Sequence, residues 1–422
     1  MSMKIKLEDI IDFIFIAFFS LYCLLPSFQN DMDFIMIVLA VVAYTAFVAL
    51  TDKPETFEKI MIFALLIVFV SLCYYFLTET ATINSNVDNY NLKRFLSKFN
   101  QLSMSFLPLL FLYRANKIFS QKTKKIFVVL CLAIFTYVII NSYMEYQVNE
   151  RAARAWAEFE EQAENNVATY GYIYAVSAFI PMVFAFAYNV HNKLFKFTGA
   201  IAVICLFGFL LSAQYTLALL IPALCCVIYV FQTSKSSAGK VVTVLLLPVI
   251  LLVVPYVFEY LSTIVESADI KMRFKEIAMF FRGKGADTYD LNDRLERYKI
   301  CLQYFASSPI VGKEPPVDGH STLFSFLCDV GLLGSIPFYY MYFLAKKLAY
   351  KAIGCEKNKK IYFSTFLALV ILGFLNPILS TYTLSYVVWF LTPMCIILLK
   401  ENRVKGFESL LEEERKNEKL GI

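Results

Sequence analysis

Apolar residues run through this chain in long blocks, and charged residues gather between them. Each block is about 20 residues long, the length a helix needs to cross roughly 30 Å of hydrocarbon. The blocks predict spans at 9–25, 32–50, 58–78, 95–113, 126–143, 170–189, 197–212, 213–231, 241–258, 321–344, 361–378 and 383–399. The seventh and eighth share 35 residues, so they must turn tightly around "LSAQYT". The first block lacks the short apolar core and small-residue cleavage site of a signal peptide, and is expected to stay as an anchor.

Composition agrees with the pattern. Hydrophobic residues make up 59% of the 422 and charged residues 17%, against about 25% charged in soluble domains. Mean hydropathy is +0.60. The expected fold is therefore an all-α polytopic membrane protein. It has about 12 transmembrane helices and a long, partly helical extracytoplasmic loop before the third-last helix. Residues 1–258 would form an N-terminal bundle with an outer loop at 144–169, and 259–320 the large loop. Residues 321–399 would form the C-terminal helices and 400–422 a cytoplasmic tail.

Lysine and arginine set the orientation. With the N-terminus inside, "MSMKIK", "RANKIFSQKTKK" (114–125), "AKKLAYKAIGCEKNKK" (345–360) and the tail all fall in the cytoplasm, as does the C-terminus. The basic long loop does not overturn this, because long loops translocate regardless of charge. The net charge of +5 follows from topology, so nucleic acid is not an expected partner. Nine of the ten cysteines lie in apolar or amphipathic helical runs, and no C-x-x-C pair is present. Neither a disulfide framework nor a metal site is supported.

Two outer loops exceed what a connection needs. In the first, Tyr146, Ala153, Trp156, Phe159 and Ala163 recur at helical spacing. They predict a helix on the outer membrane surface with Trp156 at the interface, a solvated connector helix being the alternative. The second, 259–320, carries nine basic residues, among them Arg273, Arg282, Arg294, Arg297, Lys299 and Lys313. Asn292 or Asp293 is expected to open a helix there, Asp293 and Glu296 being spaced as a capping box. Its apolar stripe would be Leu295, Tyr298, Leu302 and Phe305, with Arg294, Arg297 and Cys301 in a stripe beside it. Pro309 should stop it by disfavouring helical geometry at Ser308.

Ionisable residues inside hydrocarbon are costly and therefore candidates for function. Asp12 and Lys98 lie near span ends, from where they can reach the headgroups. Asp329, nine residues after His320, would sit roughly 13 Å into its helix at 1.5 Å per residue. It is the one deep carboxylate, too few for a proton relay. The charged groups gather instead near the outer face. Guanidinium groups there suit phosphate or pyrophosphate, and His320 can take a proton from an attacking hydroxyl. A substrate with an anionic head and a greasy tail fits, as does glycosyl transfer from a lipid-linked pyrophosphate to a sugar hydroxyl. The bland alternatives are an interfacial histidine and arginines on a solvated helix flank. Asp287, Asp290 and Asp293 read as turns and a cap, and His191 as a surface residue.

The run "DRLERYKICLQYFASSPIVG" followed by "GHSTLFSFLCDVGLLG" resembles the C-terminal signature of the O-antigen ligase and Wzy-type polysaccharide polymerase superfamily. Arg294, Tyr298, Ser308, Pro309, Gly312, His320, Asp329, Gly331, Leu332 and Gly334 occupy matching positions. The twelve-span layout is similar as well. The resemblance implies a metal-independent, cofactor-free inverting glycosyltransferase acting on undecaprenyl-pyrophosphate-linked oligosaccharide at the outer face of the bacterial inner membrane. It implies His320 as base and Arg294 as a pyrophosphate contact. Arg297 is the first choice for a second contact, with Tyr298, Asp329, Arg273 and Arg282 supporting. A flippase and a chain-length regulator would be partners. Three departures stand out: Ser321 where the family often has Asn, Lys313 in place of a second glycine, and Gln214 and Tyr215 where ligases tend to carry an arginine. A Wzy-like polymerase is the first reading, a ligase the second, and a lipid-linked glycan flippase the alternative of another class.

Overall fold

The computed structural model describes residues 7–31, parts of 40–50, 107–149, 152–153, 165–190, 192–234, 236, parts of 252–282, 289–313, 321–376 and 381–398. Those residues are helical, with no strand among them. In chain order the helices are α1 (Leu7–Leu24), α2 (Pro26–Asp31), α3 (Gln121–Val148), α4 (Tyr170–Asn189), α5 (Lys193–Ser212), α6 (Thr216–Thr233), α7 (Tyr289–Ser307), α8 (Thr322–Ile353) and α9 (Glu356–Leu375). The last, α10 (Tyr382–Leu398), carries a π-helical turn at Val387–Leu391. A further helical stretch covers 107–118. Among the described residues, α3, α4, α5, α8 and α9 are long and apolar enough to cross a membrane, and α6 and α10 are shorter apolar helices. The predicted span 58–78, the greater parts of 32–50, 95–113 and 241–258, and the tail lie outside the described residues.

Helix α4 is the hub, packing against α5, α6, α9 and α10. Small residues let its neighbours come close. A methyl group on Gly199 of α5 would lie 2.7 Å from Ala187 Cβ, and one on Gly171 2.9 Å from Thr381 Cβ, before α10. The outward faces are apolar too. Ile126, Val129, Leu130 and Ile140 of α3 and Phe195, Phe197 and Ile204 of α5 are exposed, a surface suited to hydrocarbon.

The bundle has two unlike ends. At the lower end α4 and α6 finish and α5 and α9 begin. Lys193, Lys196, Lys346, Lys347, Lys359 and Lys360 gather there, and Lys360 donates to Gln232 O at 3.1 Å. The upper end holds the starts of α4, α6, α8 and α10 and the finish of α9, joined by the contacts described below.

Two expectations are corrected. Asp12 does not reach the headgroups: it is fully buried near the lower end. Arg114 grips it through Nε at 3.0 Å and Nη2 at 2.5 Å, and the Tyr44 hydroxyl donates to it at 2.6 Å. A short carboxylate with charge-assisted partners inside the protein has no cause to snorkel. Nor do Tyr146 and Ala153 lie on a membrane surface. Both are buried, Tyr146 with its ring stacked on Phe209 at 5.7 Å and its hydroxyl donating to Ala168 O. Trp156, Phe159 and Ala163 lie outside the described residues.

Candidate functional site

Helix α8 breaks at Gly331, whose φ of 58° and ψ of −162° leave the helical region. Such a break frees backbone groups roughly 13 Å along the helix at 1.5 Å per residue, where an unsatisfied group is costly. The loop after α7 satisfies them. Lys313 N donates to Cys328 O at 2.7 Å, Leu332 N to Pro309 O at 2.9 Å and Leu333 N to Ile310 O at 2.9 Å. Gly312 meets the break with φ of 82°. The two glycines fit only as glycines. A methyl on Gly312 would lie 2.5 Å from Gly331 N, and one on Gly331 2.5 Å from Gly312 N and Ile310 O. The segments "SSPIVG" and "CDVGLLG", separate in sequence, thus form one backbone interlock that docks α7 against α8.

Helix α7 begins at Tyr289, so Asp290, Asn292 and Asp293 lie in its first turns and Asp293 does not open it. It stops at Ser307, ahead of Pro309. The face turned to the bundle includes part of the predicted apolar stripe, Tyr298 and Phe305 being half-buried, but not all of it. Leu302 is 46% exposed, whereas Cys301 is fully buried and accepts, through its carbonyl, from the Cys328 thiol at 2.8 Å. Arg297, one turn before Cys301, is half-buried on that side. The Tyr298 ring packs on Phe324 at 5.1 Å and its hydroxyl reaches Phe374 O at 3.4 Å.

The start of α8 is tied to the upper end of the bundle. The buried Ser321 Oγ accepts from Phe324 N at 3.3 Å, capping the helix, and donates to Gly373 O at 3.3 Å. Thr322 donates to Asn376 O through N and Oγ1, both at 3.2 Å. Asn376 in turn donates from Nδ2 to the Tyr174 hydroxyl at 3.1 Å. Tyr174 belongs to a trio with Tyr170 and Tyr215, whose centroids lie 5.0 to 5.8 Å apart and nearly edge-on. Gln214 makes the turn between α5 and α6 with φ of 62°.

The predicted site residues are thus placed unevenly. Arg297 and Tyr298 lie half-buried on α7 and Asp329 half-buried on α8, and the two helices pack together. Arg282 stands apart, paired with Glu259 and lying 5.0 Å over the Tyr256 ring. His320, Arg273 and the side chain of Arg294 lie outside the described residues. Sequence reasoning overlooked Asn376 and Tyr174. The Asn-Pro pair in "FLNPIL" is a breaker signal that could have pointed to Asn376. Tyr174, one aromatic among many in an apolar block, gave no signal. Among the described residues no group of three or more His, Cys, Asp or Glu is placed to hold a metal. No protein-family model matches the chain, and no curated protein matches it.

Proposed function

We propose that this chain is a membrane-embedded polysaccharide polymerase. It transfers glycan between undecaprenyl-pyrophosphate-linked repeat units at the outer face of a bacterial cytoplasmic membrane. The observation that carries the reading is the interlock. The two segments that resemble the polymerase and ligase signature are in backbone contact, which brings helix α7, the bearer of Arg294 and Arg297, beside α8, whose cap Ser321 directly follows His320. The lysines at the lower end support that end, and with it both termini, as cytoplasmic.

In this reading His320 takes the proton of an acceptor sugar hydroxyl as its oxygen bonds to the donor's anomeric carbon from the opposite face. The bond from that carbon to the pyrophosphate oxygen breaks, and undecaprenyl pyrophosphate leaves. Arg294 and Arg297 stabilise the charge growing on the leaving group. With Gln214 and Tyr215 where ligases tend to carry an arginine, the polymerase is preferred to the ligase. The test is purified protein with synthetic lipid-linked repeat unit, with and without chelator. A polymer ladder that persists with chelator is expected, together with its loss in His320→Ala and Arg294→Ala. Full-length polymer from those variants, stably expressed, overturns the assigned roles.

A further inference from the structure

We propose that Tyr170, Tyr174, Tyr215, Gln214 and Asn376 form a neutral carbohydrate subsite that receives the acceptor glycan. The ligand class rests on the glycosyl-transfer reading; the placement rests on the geometry of the upper end.

Three helix ends converge here. Tyr170 and Tyr174 come from the first two turns of α4, Gln214 and Tyr215 from the turn into α6, and Asn376 from the cap of α9. Tyr174 and Asn376 are buried and bonded to each other, while Tyr170, Tyr215 and Gln214 are half-buried. Part of each outer side chain is therefore accessible on a fixed base. The Tyr215 hydroxyl donates to Ala153 O at 3.1 Å, which holds its ring in place.

Gln214 supplies the second clue. A non-glycine residue at positive φ is strained, and such residues cluster at ligand sites. Glycine would make this turn without strain, yet the position carries an amide.

The chemistry selects the ligand. All five side chains are neutral, and their amides and phenols both donate and accept hydrogen bonds. Tyrosine adds a flat apolar face beside a polar tip. Such a set matches sugar hydroxyls and the apolar face of a pyranose ring, not a pyrophosphate, whose cationic partners lie on α7. The placement matches as well. Asn376 O is bonded to Thr322 in the first turn of α8, two residues after His320 in the chain, so the subsite is tied to the start of α8.

The experiment measures binding of a lipid-free repeat-unit oligosaccharide to full-length protein in detergent, by saturation-transfer NMR, beside the polymerase assay. Gln214→Gly is the key variant, because it removes the amide while relieving the backbone. Its glycan affinity is expected to fall about tenfold, one hydrogen-bonded amide's worth, with inorganic pyrophosphate binding unchanged. Tyr174→Phe, which cuts the tie to Asn376, should weaken glycan binding in the same selective way. Unchanged glycan affinity in Gln214→Gly, or no oligosaccharide binding by the wild type, overturns the subsite. Oligosaccharide binding without any polymer formation leaves the subsite standing and overturns the polymerase reading.

Discussion

The two ends of the bundle bury polar groups in opposite ways. At the lower end, Asp12, Arg114 and Tyr44 form a buried charged set joined by short hydrogen bonds. At the upper end the described polar network is neutral: hydroxyls, amides and backbone groups of Ser321, Thr322, Asn376 and Tyr174. A buried ion pair is stable only while complete, because each charge depends on the other for its solvation. Neutral donors and acceptors exchange partners at much smaller cost. The lower arrangement suits holding α1 to the 107–118 stretch, and the upper one suits a place where a ligand comes and goes.

Breaking the charged set should have the largest effect. Asp12→Ala leaves the Arg114 guanidinium buried without its carboxylate, and removing one partner of such a pair costs about 3–5 kcal/mol. Thermal unfolding in detergent should show the loss, with Arg114→Ala equal to it within error. The double variant Asp12→Leu/Arg114→Met should recover most of the stability, since apolar replacement of a whole pair is often neutral. A single variant that melts with the wild type would show that the pair is not needed to hold the lower end.

The interlock comes next. Gly331→Ala places a methyl 2.5 Å from Gly312 N and Ile310 O in a backbone region that strongly favours glycine, at a cost of order 1–3 kcal/mol. The bundle core around α4 should stay folded while α7 loses its dock. Limited trypsin digestion should then cut faster at Lys299 and Lys313, and polymer formation should disappear. Tryptic protection equal to the wild type would mean that α7 is held by side chains such as Tyr298 and Cys301, not by the interlock.

The contrast also explains what the sequence disclosed. The span 170–189 and the tight turn at "LSAQYT" were legible because blocks of apolar residues end at polar punctuation, and hydrocarbon thickness sets their length. Which side faces inward was not legible. In lipid an outward residue is as apolar as an inward one, so Ile126 and Val129, exposed on α3, are indistinguishable by pattern from the buried Val128 beside them. Asp12 misled because its partner Arg114 is 102 positions away. Both glycines of the interlock stood out as motif residues, but their contact depends on the break in α8, which no local rule announces. Helix α7 starts earlier than the capping residues suggested, which leaves acids in its first turns, where the helix dipole favours them.

The smallest predicted effect on stability is at Ser321, and it tests whether the neutral network has a part in the reaction. Ser321→Ala removes an N-cap, worth about 1 kcal/mol, whereas glycine at that position costs only a few tenths. Thermal unfolding should therefore rank Ser321→Gly near the wild type and Ser321→Ala slightly below it. Polymer formation should not follow that ranking. Both variants lose the hydroxyl that donates to Gly373 O, so both should slow turnover, Ser321→Gly with almost no loss of stability. Because Ser321 is bonded to His320, a fall in rate without a fall in melting temperature would report displacement of the base. If turnover instead tracked stability across the two variants, Ser321 would be a helix cap alone, and the upper network would have no role in positioning His320.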